Sequence, residues 1–432
     1  MKRPLSPVEH VNWLIDQVIP QNFVMVAGIS GQLAGDFLRR SLDIIQDKYA
    51  LLKCKVIGLE GPEFVSGDVP GIPLRIIDRK DENHWLEETE KEIHEPFPWA
   101  KGPLMRVVLL TSMDKCDLLL TFCHIASDAT SGVAIANDLL CTLSRLSSGE
   151  DIAFKTALSL SPSSLDLLKK DLKFKPKFLD FPGHAWRTLY KIKELQGDGE
   201  TLPEKRMTRI IQDIISEDET NRLINRCKAK KTSVHGVLCA ALMQAVVEEI
   251  RFSGEGKRGP LMISCVTPVN IRKYFIRPIG EDIGYYISHA LHSQLIDDRS
   301  SLWIAANRVK KSLQRELDFG RDIKGLLSDG DLMTRYSSPL ELVRGLNETY
   351  PPLAVTNMGR VDIPQQFGNL KLEKFHFAVS INPSVKNGFA LAVTNFNGLT
   401  ILNFLYAEPY LLKQRAVKLV ENTMKRLKAA VK

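Results

Sequence analysis

Strand-like and helix-like patterns alternate over two long stretches of the chain, on either side of a segment near 150–205 that follows neither. In the first stretch, Val11, Leu14, Ile15 and Val18 recur at helical spacing over 8–19, after Pro7 at a first-turn position. The β-rich run NFVMVAG at 22–28 stops at a glycine, and 33–49 is amphipathic through Leu33, Phe37, Leu38, Leu42 and Ile45. Strand-like runs follow at 53–58, 73–78, 104–111 and 117–123, with a charged helical stretch near 82–95 and a further helix at 131–146. The second stretch reads as a strand at 207–215, helices at 217–229 and 233–252, strands at 261–267 and 283–291, and a helix at 301–317. Strands at 371–382, 388–396 and 399–406 then precede an amphipathic helix from 409 onward. No period of 20–50 residues repeats. Mixed strands and helices in this order specify an α+β protein of two lobes, 1–175 and 207–432, joined by a basic linker at 176–206. A chain of 432 residues suits that division at a prior of roughly 150 residues per domain.

Composition removes several classes. Hydrophobic residues at 44% and charged residues at 25% exclude a disordered or collagen-like chain. The net charge of +7 is too mild by itself to imply nucleic acid. Seven cysteines form an odd set without CxxC spacing, most of them in apolar runs, which suits a reducing compartment. The first twenty residues lack the apolar core of a signal peptide, and the longest nearly apolar stretch, 236–247, is shorter than the ~18 residues of a membrane span. A soluble, cytoplasmic protein is expected, with the sequon at Asn347 idle. There is no P-loop, no GxGxxG, no GxSxG elbow, no HExxH and no Cys/His set at zinc spacing. The expectation is therefore no metal and no permanently bound cofactor.

One constellation carries chemistry. The apolar run Leu118–Phe122 ends in Cys123 and His124, and Asp128 follows four residues later, ahead of a new helix. HxxxD as a bare spacing is cheap: nine histidines, each with a chance of roughly 6% of such an Asp, yield one about half the time. Context adds weight, because a histidine at the tip of an apolar strand has left the core and faces a cleft or lobe boundary. The alternative is a strand-end histidine satisfied by a backbone carbonyl. Cys123 and His124 are adjacent on a strand and point to opposite faces, so they do not form a nucleophilic dyad.

The segment from Cys123 to Ala129 resembles the HHxxxDG motif of condensation-domain-like acyltransferases. That superfamily includes peptide-synthetase condensation domains, polyketide-associated acyltransferases, alcohol O-acetyltransferases and, more distantly, chloramphenicol acetyltransferase. Similar too are Leu5-Ser6-Pro7-Val8-Glu9, Gly102-Pro103-Leu104-Met105-Arg106, Thr232-Ser233-Val234-His235-Gly236, Pro268-Val269-Asn270-Ile271-Arg272 and Thr356-Asn357-Met358-Gly359-Arg360. The free-standing polyketide-associated and alcohol-acetyltransferase branch is the nearest in pattern. The resemblance implies two chloramphenicol-acetyltransferase-like lobes in a V-shaped pseudo-dimer with a tunnel between them. It implies transfer of an acyl group from acyl-CoA or a phosphopantetheine-linked carrier protein to a small alcohol or amine, with O-acylation favoured, by a monomer without nucleic-acid partners. His124 becomes the general base, suited by an ordinary pKa near 6.5. Asp128 becomes a structural carboxylate paired with Arg272, Gly132 permits tight packing at the helix start, and Asn357 is offered either as an oxyanion donor or as a turn residue. Two positions depart from the motif: Cys123 replaces the first histidine and Ala129 the glycine. A catalytically silent protein of the same fold, binding a carrier protein or lipid-like ligand, is the alternative.

The positive charge is local. Residues 169–193 hold eight basic residues against two acidic, and 413–432 hold seven against Glu421. Such patches suit coenzyme A phosphates or an acidic carrier protein, although lysines late in a terminal helix also complement its dipole.

Overall fold

The computed structural model describes residues 1–150, 152, 159–174, 192–254, 259–349, 353–381 and 388–432. Most of the linker expected at 176–206, and with it much of the first basic patch, lies outside the described residues.

Two six-stranded sheets dominate. The first runs, edge to edge, Gln366–Phe367, Leu370–Val379, Asn22–Ser30, Lys115–Cys123, Met105–Thr111 and Leu74–Asp78. The second runs Ile287–Ile296, Leu261–Asn270, Leu353–Arg360, Phe389–Phe396, Leu399–Glu408 and Met207–Ile215. A small three-stranded sheet (Lys2–Pro4, Glu63–Ser66, Cys54–Ile57) flanks the first. Both large sheets are mainly antiparallel: the first has one parallel pair, at its Leu74–Asp78 edge, and the second has two, on either side of Leu353–Arg360.

The central strand Lys115–Cys123 shows how sequence becomes position. Eight of its nine residues are buried, because the Ala129–Ser147 helix covers one face and further elements cover the other. A strand buried on both faces reads as a continuous apolar run rather than an alternation. The Val234–Phe252 helix does the same for the second lobe: it is apolar nearly all round, and Val237 to Val247 are buried without a break.

The lobes are not divided where the chain is. Strand Leu370–Val379 comes from the 207–432 stretch but pairs antiparallel with Asn22–Ser30, Phe375 opposite Ala27. Its buried Phe375 and Phe377 fill the core of the first sheet. The strand expected at 283–291 begins instead at Ile287, because the Gly284 and Tyr286 amides are committed to side chains of the other lobe. Helices Arg321–Arg335 and Pro339–Thr349 and strand Leu353–Arg360 were not foreseen.

Three of the seven basic residues of the second patch are paired within the molecule. In helix Lys413–Val431, Arg415 and Lys418 pair with Glu249 at 2.9 and 3.1 Å, and Arg426 pairs with Glu248 at 2.7 Å. Among the described residues, no single helix is long and apolar enough to cross a membrane.

Candidate active site

His124 stands at the first residue beyond the motif strand. Its amide donates to the Gln21 carbonyl at 2.8 Å, and the buried Asp16 carboxylate accepts the Gln21 amide at 2.7 Å. The His124 Nδ1 lies 2.9 Å from the Ser127 carbonyl. A carbonyl only accepts, so Nδ1 carries the proton and the neutral ring presents its lone pair at Nε2. Phe23 and Tyr285 flank the ring at centroid distances of 5.0 and 5.3 Å. Burial lowers the His124 pKa below 6.5 against the opposing pull of the Ser127 carbonyl and Asp128, so the base form persists at neutral pH. Both readings left open by the sequence meet here: the ring is satisfied by a backbone carbonyl and also faces a cavity.

That cavity, of about 150 Å³, lies between the two large sheets and is lined from both. His124, Phe23 and Val379 come from one side, and Val266, Tyr285 and His289 from the other. A larger cleft of about 440 Å³ beside Ser293 and Arg308 contains neither imidazole nor thiol.

Asp128 does not face the cavity. Its carboxylate, fully buried, receives both Arg272 nitrogens at 2.7 and 2.9 Å, the Tyr286 amide at 3.1 Å and the Ser131 amide at 2.8 Å. The last contact also caps the Ala129–Ser147 helix. Burial alone would raise the Asp128 pKa, but the charge and hydrogen bonds of Arg272 outweigh it and hold the pKa below the usual carboxylate range. Arg272 also stacks over Tyr286 at 4.8 Å and donates to the Ser131 hydroxyl at 3.0 Å. A first-lobe carboxylate and a second-lobe guanidinium thus share one bidentate bridge four residues from His124.

At Gly132 an added Cβ would come within 2.8 Å of the Met25 terminal methyl and 3.1 Å of the Phe23 ring, so a larger residue there requires both side chains to shift. Asn357 goes the other way: its Oδ1 accepts the Gly359 amide at 2.8 Å, and Thr356 rather than Asn357 lines the cavity. Alternation along the strand sends the two side chains to opposite faces, and the turn is the role left to Asn357. Cys123 is fully buried, points toward Asp16, and burial holds its thiol well above the ordinary range.

Sequence reasoning missed His289. It lies in strand Ile287–Ile296, where Ile287 and His289 face the cavity while Ser288 and Ala290 are buried behind them. Its ring is open to the cavity yet hemmed in by protein, and the lost hydration, with His124 nearby, pushes its pKa down to about 4. The alternation in ISHALHSQLI was the available signal.

Comparison with known proteins bears on this geometry. Residues 206–406 match the family model described as the phthiocerol/phthiodiolone dimycocerosyl transferase C-terminus. A trichothecene 15-O-acetyltransferase from Fusarium sporotrichioides superimposes with a TM-score of 0.74 at 13% identity, over 99% of this chain and 95% of that one. The chain has the condensation-domain-like fold. Polyketide synthase associated protein 5 from Mycobacterium tuberculosis shares it, with a TM-score of 0.69 at 15% identity over 99% and 98% of the two chains. So does the epimerization domain from the third module of tyrocidine synthetase B, with a TM-score of 0.67 at 14% identity over 100% and 98%. No curated protein sequence matches the chain. The fold expected from the resemblance therefore holds, and identities this low carry the fold and not a substrate.

Proposed function

We propose that the protein is an acyltransferase that moves an acyl group from a thioester, on coenzyme A or a carrier protein, to the hydroxyl of a small molecule. The observation that carries this reading is a neutral His124 whose Nδ1 proton is held by the Ser127 carbonyl and whose ring lines a cavity between the lobes. The family match and the acetyltransferase of like fold support the reaction class.

A thioester is already activated, so no covalent nucleophile is needed. His124 Nε2 takes the proton of the acceptor O–H as its oxygen attacks the thioester carbonyl. The C–S bond then breaks, and the imidazolium returns the proton to the leaving thiolate. Phe23, Tyr285 and Val266 make the surroundings apolar, which keeps water from competing for the acyl group. The Asp128–Arg272 bridge positions the loop and touches neither substrate. In this reading the cavity is the waist of a tunnel entered by donor and acceptor from opposite mouths, and the protein works as a cytoplasmic monomer.

The test is thiol release from a panel of acyl-CoA thioesters offered alcohols and amines, with products identified by mass spectrometry. Turnover with alcohols that collapses in His124→Ala supports the reading. Equal turnover in the variant and wild type removes the general base. Binding of acyl-CoA with no turnover of any acceptor leaves the catalytically silent protein of the same fold.

A further inference from the structure

The edge hairpin formed by Leu261–Asn270 and Ile287–Ile296 has two faces, and only one borders the cavity. The other is pressed against the Val234–Phe252 helix. There, His235 and Cys239 are four residues apart on the helix and so share a face. Opposite them, Cys265 and His292 are direct cross-strand partners.

The side chains converge. Cys239 Sγ lies 3.3 Å from His235 Nε2, and donor atoms of His235, Cys239 and His292 all fall within 4.8 Å of one another. Cys265 stands directly opposite His292 in the strand register, and its thiol donates to the Val266 carbonyl at 3.5 Å. Thr267 Oγ1 sits between the imidazoles, 2.9 Å from His235 Nε2 and 3.1 Å from His292 Nε2.

Proton placement within this group does not close. His235 Nε2 and His292 Nε2 both face the Thr267 hydroxyl. The Thr267 hydroxyl has one proton and serves one imidazole. If it donates to His292 Nε2, the single N–H of that neutral ring sits on Nδ1, which is buried without a hydrogen-bond partner. If it donates to His235, the Cys239 thiol competes for the same lone pair, and His292 Nδ1 is again unpartnered. Either arrangement leaves one buried polar group unmet, which a protein interior disfavours.

We propose that His235, Cys239, Cys265 and His292 form a binding site for a zinc-class divalent cation. Two thiolates and two neutral imidazoles make the S₂N₂ donor set that selects zinc-like ions. Tetrahedral coordination at about 2.3 Å for sulfur and 2.0 Å for nitrogen sets N and S about 3.5 Å apart, close to the 3.3 Å between His235 and Cys239. On binding, each thiol releases its proton to solvent as its sulfur–metal bond forms, and the two thiolates balance the charge of the cation. The site is distinct from the cavity and does not depend on the acyltransferase reading. Its role is to pin the helix to a hairpin whose other face walls the cavity.

The full-length protein, stripped with a chelator, is titrated with Co²⁺. One equivalent should give thiolate-to-cobalt charge-transfer absorption in the near ultraviolet with tetrahedral d–d bands, and Zn²⁺ should abolish both. Cys239→Ser and His292→Gln, shown by circular dichroism to be folded, should each weaken Zn²⁺ binding by more than the ~10–100-fold that losing an outer-shell partner costs. Cys141→Ser, a half-buried thiol outside the cluster, should bind as wild type does. Absence of the charge-transfer band in wild type overturns the proposal without recourse to any variant. So does a band that survives Cys239→Ser combined with Cys265→Ser.

Discussion

The His124 loop and the His235–His292 cluster are both buried polar groups gathered from distant parts of the chain, and they differ in how completely they satisfy themselves. Around Asp128 each carboxylate oxygen accepts two hydrogen bonds, the guanidinium is paired, and the helix cap is made by the same side chain. Near His292 one ring nitrogen is left over. A closed network fixes geometry, and at His124 it leaves a single lone pair for the cavity. An open network of soft donors has capacity left for a cation. Buried polarity is thus informative chiefly through what remains unpaired.

The widest gap between the two regions should appear on removing His124. His124→Ala should lower turnover by about 10²–10⁴-fold with little change in melting temperature, because the ring contributes chemistry more than packing. Steady-state kinetics beside a thermal melt decide this, and a large fall in melting temperature would mean the loop was held by the ring itself.

Breaking the closed network comes next. Asp128→Asn keeps the helix cap but strands the mostly buried Arg272 charge, at a cost of about 3 kcal/mol in denaturant unfolding. Arg272→Gln in the Asp128→Asn background should restore part of it. The native Asp128 pKa lies below its unfolded value near 3.8, so its contribution is complete above that value and fades as pH falls through the native one. Acid unfolding of Asp128→Asn should lack this component.

Acidity offers a third test. The native His124 pKa lies below 6.5, so the acidic midpoint of kcat/KM should lie below pH 6.5, as the base becomes protonated. His289, with a pKa of about 4, stays neutral over this range and adds no second inflection. A midpoint above 6.5 would show that the cavity stabilises the imidazolium instead. The smallest effect belongs to Asn357→Ala: the loss of one turn hydrogen bond, about 1 kcal/mol of stability, with kcat unchanged. A fall in kcat of tenfold or more would return Asn357 to the reaction.

Much of this was legible because it is local. The strand ending at Cys123, the capped helix after Asp128 and the apolar Val234–Phe252 helix each announce themselves within about twenty residues of sequence. Arg272 was reached through resemblance, since nothing in its neighbourhood points to a carboxylate 144 residues away. The His/Cys cluster escaped for the same reason. Its one local sign is the i, i+4 pair His235 and Cys239, and the remaining donors arrive by strand register. Helix Arg321–Arg335 was hidden by Gly325 and Gly330, which weaken a helical pattern.

The exchanged strand Leu370–Val379 has a consequence for how the protein is made. Asn22–Ser30 emerges early in synthesis, yet its outer partner follows more than 340 residues later. Until then the nascent first lobe presents an unpaired β-edge, a template for association with other chains. A fragment ending before the second lobe would keep that edge permanently, so the first lobe should not be expected to fold as a separate piece.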